Sequence, residues 1–115
     1  MGYINREQFL ENFQYFDKEI VVEIIDLFIT EFPDRLKTIS DNIESVDFNN
    51  LKFNAHSLKG VIANFIAPEV EEEARKLEMM GNKNNIDGAR KLFEEFKVSC
   101  GLMIDELIEL KEQFK

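Results

Sequence analysis

The chain has 115 residues, a net charge of −9 and 44% hydrophobic residues, enough for one domain with its own core. So acidic a chain is a poor match for nucleic acid or an anionic membrane, which call for clustered positive charge, and no apolar run approaches the ~20 residues of a membrane span. The lone Cys100 leaves no intramolecular disulfide, and Met1-Gly2-Tyr3-Ile4-Asn5-Arg6 shows neither a signal-peptide core nor a myristoylation site, so a cytoplasmic protein is expected.

Every long segment has the period of a helix, and none alternates as a strand should. A first, short helix is expected over residues 5–15, with Asn5 as N-cap and Phe9, Phe13 and Phe16 facing inward. A second runs from near Asp17 to about Ser45 on the stripe Val21, Ile25, Phe28, Phe32, Leu36, Ile39 and Ile43. Pro33 lies within it and should bend it, because proline removes the donor to the Ile29 carbonyl. The third helix starts at Asp47, a plausible N-cap, and continues to about Phe65.

The fourth opens with Ala67-Pro68, a proline suited to a first helical turn. Its glutamates at 69 and 71–73 favour the positive end of the helix dipole, and Val70, Ala74 and Leu77 form its buried face. Met80-Gly81-Asn82 reads as its end. The fifth runs from about Ile86 to Phe114, with Ala89, Phe93, Phe96, Cys100, Met103, Leu107, Leu110 and Phe114 inward. Leu92, Ile104 and Ile108 widen that stripe to the breadth a bundle helix needs. Short connections make neighbouring helices antiparallel. Residues 1–115 therefore read as a single all-α domain, an antiparallel four-helix bundle with an extra short N-terminal helix. A monomer is expected, since the stripes can satisfy one another within one chain.

The only histidine, His56, lies on the third helix. Leu51, Ala55, Leu58, Ile62 and Phe65 form the core stripe there, and His56 projects roughly 140° from its centre. An exposed histidine is by itself an ordinary surface residue, but the neighbours on this face suit the carriage of a phosphoryl group. A neutral imidazole is a nucleophile. Lys59, and with it Lys52, offers positive charge against a phosphate. Gly60 removes a side chain where a partner must approach, although glycine is about 1 kcal/mol worse than alanine inside a helix. Phe53 gives a partner an apolar contact if it is exposed, or is covered by the first helix if it is not. Asn49 and Ala63 complete the face.

The run Ala55-His56-Ser57-Leu58-Lys59-Gly60 resembles the signature of histidine-containing phosphotransfer (HPt) domains, Ala-His-x-Leu-Lys-Gly. Phe28, Phe32-Pro33 and Leu36 upstream, and Ala67, Val70, Leu77 and Glu78 downstream, extend the resemblance over nearly the whole chain. Two positions depart from the family pattern: Val61 and Ile62 follow the glycine where small residues are usual, and Ile66 stands where glycine is usual. The resemblance implies a phosphorelay intermediate, in which His56 takes a phosphoryl group on Nε2 from a receiver-domain aspartate and passes it to another receiver. Lys59 would neutralise phosphate charge, Gly60 would give the partner clearance, and Asn49, Lys52, Phe53 and Ala63 would form the docking face. The partner implied is a response-regulator receiver domain or a hybrid sensor histidine kinase, bringing its own Mg²⁺. The chain itself would need no cofactor and no metal, and would be a carrier without turnover of its own rather than an enzyme. A different class of function, a non-phosphorylated helical-bundle adaptor for a receiver or another signalling protein, competes with this. A metal- or haem-binding bundle finds no second histidine and no Glu-x-x-His pair.

Overall fold

Helix starts along this chain are set by short polar side chains and one proline. Asn5 accepts a hydrogen bond from the Gln8 amide and Asp47 accepts one from the Asn50 amide, each satisfying a first-turn donor, while Pro68 sits at a helix start where a missing N–H does no harm. The computed structural model describes residues 2–115. Its helices are α1 (Arg6–Phe13), α2 (Lys18–Glu44), α3 (Phe48–Ala63), α4 (Pro68–Asn82) and α5 (Ala89–Lys111), followed by a single 3₁₀ turn, Glu112–Phe114. No strand occurs among the described residues.

Side-chain bonds between helices give their directions. Arg90 near the start of α5 reaches Ser40 and Glu44 near the end of α2, and Lys111 at the other end of α5 reaches Asp26. Asn54 pairs with Asn42, and Ser57 with Arg35, so α3 runs against α2. Lys59 pairs with Glu78, so α4 lies along α3, with its end beside the start of α3. The result is an antiparallel four-helix bundle with α1 across one end.

The core is continuous from end to end. All seven stripe residues of α2, the stripe Leu51, Ala55, Leu58, Ile62 and Phe65, and the inward residues from Ala89 in α5 to Phe114 in the 3₁₀ turn are buried. Phenylalanines close the end that α1 covers. Phe9 packs on Phe13, Phe65 and Phe114, with ring centroids 4.7, 6.4 and 6.2 Å apart, and Phe65 packs on Phe28 at 5.1 Å. The Asn5 amide donates to the Ile66 carbonyl at 2.8 Å. Glu106, a buried carboxylate on α5, accepts from the Tyr3 amide at 2.7 Å and from the Ile4 amide at 3.4 Å. Arg6 bonds to Glu109 at 2.8 Å. The beginning of the chain is thereby fastened to its last helix.

Two expectations need correction. Phe16 is 48% exposed, because α1 ends at Phe13 and the following turn carries Phe16 off the helical period. Ile108 is also exposed, on the solvent edge of α5 rather than in its stripe. α4 ends at Asn82, within the stretch Met80-Gly81-Asn82 as expected, but Gly81 does more than mark that end: it is buried in the last turn, and a Cβ there would lie 2.6 Å from the Lys52 nitrogen and 2.8 Å from the Phe48 oxygen of α3. The smallness of Gly81 serves close helix packing, and α4 continues to Asn82 before Asn84 turns the chain with φ +52°. Pro33 is exposed within α2, which continues through it. At the α3–α4 turn, Ile66 takes φ +57°, a backbone conformation that disfavours a β-branched residue, so the position usual for glycine keeps its glycine-like geometry here.

Candidate functional site

With Leu51, Ala55, Leu58 and Ile62 anchored in the core, the opposite side of α3 is fixed in space and turned to solvent. The His56 side chain is 67% exposed. Its Nδ1 lies 2.7 Å from Oε2 of Glu78 on α4, and the other oxygen of that carboxylate accepts from Lys59 Nζ at 2.6 Å. One carboxylate thus bridges the histidine and the lysine one turn along the same helix. Glu78 is largely buried between the two helices, and burial, the largest single influence, pushes its carboxyl pKa upward. The hydrogen bonds from Lys59 and His56, with their charges, outweigh it and hold the carboxyl below its ordinary value.

The bridge settles the chemistry of the ring. An ionised carboxylate only accepts hydrogen bonds, so Nδ1 carries the proton in the neutral imidazole. The lone pair then resides on Nε2, which has no hydrogen-bond partner among the described residues. The arrangement presents a nucleophilic nitrogen outward on a rigid helix, with a carboxylate behind it to stabilise positive charge that develops on the ring.

The other expected site residues fall into two groups. Asn49, Lys52 and Phe53 line one shallow depression with His56 and Glu78, and Phe53 is 69% exposed, uncovered by α1. Ala63 is half-buried and lies farther along α3, where it lines a separate groove with Phe13 at the end of α1, Phe16 after it and Ile24 of α2. Gly60 is exposed, with no atom within 4 Å of where a Cβ would stand, so the space beside the histidine is open to solvent. Val61 is half-buried and Ile62 fully buried, both turned toward the packed side of α3 rather than into the approach to His56. On the α2 side, Arg35 donates to Ser57 at 3.3 Å, next along the chain from the histidine.

Glu78 is the site residue that sequence reasoning left without a role. Its signal was its place after Leu77 among the positions that extend the HPt resemblance, which named the residue but not what it touches. Only the register of α4 against α3 brings it to the histidine.

The Hpt domain family model matches residues 23–113, which run from within α2 into the final 3₁₀ turn and include the histidine motif and Glu78. The chain belongs to the Hpt domain family. It joins the histidine phosphotransfer proteins of phosphorelays, a class of phosphoryl carriers that act with receiver domains and histidine kinases. The fold of this Hpt domain is similar to that of histidine-containing phosphotransfer protein B (HptB) from Pseudomonas aeruginosa PAO1. The two share 18% identity and superpose with a TM-score of 0.88 over 98% of this chain and 97% of that one. A comparison with curated protein sequences found no match. No helix among the described residues of the Hpt domain is long and apolar enough to cross a membrane.

Proposed function

We propose that His56 accepts a phosphoryl group from the aspartyl phosphate of a receiver domain and hands it to the aspartate of a second receiver. The observation that carries this reading is the solvent-facing imidazole whose Nδ1 is bonded to Glu78, leaving Nε2 as the nucleophile. In the forward step Nε2 attacks phosphorus in line. The Nε2–P bond forms as the bond from phosphorus to the aspartyl oxygen breaks, and the aspartate leaves as a carboxylate. The proton on Nδ1 stays in place, and Glu78 offsets the positive charge the ring acquires. Lys59 stands one turn away to offset the phosphoryl charge. Gly60 leaves room for the receiver, and Asn49, Lys52 and Phe53 meet its surface, with Ala63 at the edge of the contact. Mg²⁺ belongs to the receiver in this scheme, and the chain is a carrier that is itself modified, with no turnover of its own.

The test is direct. Wild-type protein and His56→Ala are incubated with a phosphorylated receiver and Mg²⁺. Wild type should gain phosphate that is labile in acid and stable in alkali, and His56→Ala should gain none. A wild-type protein that binds the receiver without acquiring phosphate would leave an adaptor in place of a carrier.

A further inference from the structure

The bridge between His56 and Glu78 depends on how closely α3 and α4 approach, and that approach has a visible cause one turn away. Gly81 lies three residues after Glu78 on α4, and Lys52 lies four residues before His56 on the antiparallel α3. A Cβ on Gly81 would stand 2.6 Å from the Lys52 nitrogen, 2.9 Å from its Cα and 2.8 Å from the Phe48 oxygen. These are backbone atoms, so no rotamer change could relieve the overlap, and the helices themselves would have to separate. Restoring ordinary contact takes a shift of about 1 Å at this level. His56 and Glu78 sit about one helical turn beyond it on their respective helices. Their 2.7 Å hydrogen bond would lengthen past the range in which such bonds hold.

We infer that Gly81 is a positioning residue for phosphoryl transfer: by letting α4 touch the backbone of α3, it holds Glu78 against Nδ1 of His56 and so keeps Nε2 as the free nucleophile. It touches neither the ring nor the phosphoryl group and acts only through Glu78. Gly60 and Gly101, also helical, have open space where a Cβ would go, so among the three helical glycines this close approach is particular to Gly81. The inference rests on the proposed carrier role, and its principal readout is independent of any receiver.

The experiment compares wild type, Gly101→Ala and the double variant Gly81→Ala/Gly101→Ala. Gly101→Ala places a better helix former on an open face of α5, away from the site, and supplies a stabilised background in which Gly81→Ala can be examined folded. The ¹⁵N chemical shifts of the two imidazole nitrogens report which carries the proton. Wild type and Gly101→Ala should show Nδ1 protonated and Nε2 bare in the neutral form of the ring. The double variant should keep its helical circular dichroism, lose that preference, and accept phosphate about tenfold more slowly. Adding Glu78→Gln should slow wild type but change the double variant little, because the bridge is already broken. A folded double variant with wild-type nitrogen shifts would overturn the inference. So would failure of the stabilised variant to fold, which would make Gly81 a requirement of the whole bundle. If the shifts move as expected while wild type takes no phosphate, the positioning stands and the carrier role falls.

Discussion

Three side chains, His56, Lys59 and Glu78, form a unit whose members have different jobs. Glu78 touches both partners, so its loss does the most varied damage. Glu78→Gln still accepts a hydrogen bond through its amide oxygen but cannot offset charge on the ring. Transfer should slow by about tenfold, equivalent to ~1.4 kcal/mol of barrier, as measured by phosphate uptake against time. The same carboxylate ties stability to pH. Its folded pKa lies below the ordinary value of 4.5, so its contribution is complete above that pH and is lost as pH falls through the lower, folded value. Acid unfolding followed by circular dichroism should therefore show a shallower loss of stability below about pH 4.5 in Glu78→Gln than in wild type. Lys59→Ala tests the remaining member. It should leave the ring tautomer as it is, since Glu78 still holds Nδ1, while slowing phosphate uptake. The exposure of His56 was legible in the sequence, because a core stripe names its own opposite face. The partner of the ring was not, because no pattern within α3 says which residue of α4 lies beside it.

At the level of elements, periodicity found the central core stripe wherever a helix persisted and erred inside a helix only at Ile108, on the edge of α5. The stripe of α2 holds through Pro33, and that of α5 extends into the 3₁₀ turn as far as Phe114. It failed at Phe16, where the helix had already stopped; Gly81 stands in the last turn of α4, as its residue type suggests, and there also lets two helices touch. The turns carry a cost that composition hides. Val46 and Ile66 are β-branched residues at φ +53° and +57°, a region that disfavours such side chains by about 1–2 kcal/mol. Val46 is 48% exposed, so Val46→Gly gives up little packing. It should raise stability by about 1 kcal/mol, read from the midpoint of urea unfolding. Ile66 is half-buried and its carbonyl accepts from Asn5, so relief of strain there competes with lost contacts. Asp47→Ala removes the cap of the helix that carries the histidine and should cost about 1 kcal/mol in the same measurement.

Across the whole molecule, the bundle keeps its histidine site clear of the contacts that hold α1 in place. α1 packs through Phe9 and Phe13, and the segment before it is held by Glu106, which is 8% exposed. Glu106→Ala would leave the Tyr3 and Ile4 amides without their acceptor and Arg6 without one of its two acids, at about 1–3 kcal/mol. Amide hydrogen exchange over residues 3–9 should quicken in that variant while exchange in α3 stays slow. The bundle itself was legible from four long stripes and short connections. This fastening was not, because Glu106 reads in sequence as one more surface acid on an acidic chain. It has a topological consequence. Tyr3 meets Glu106, Arg6 meets Glu109 and Phe9 meets Phe114, so the first and last stretches of the chain share one pole of the bundle. The exposed link at Asn84-Asn85 lies between α4 and α5 at the other pole. A circular permutant that joins the two ends through a short glycine-rich segment and opens the backbone at that link should reach the same helical fold, for nothing in the packing records which helix was made first.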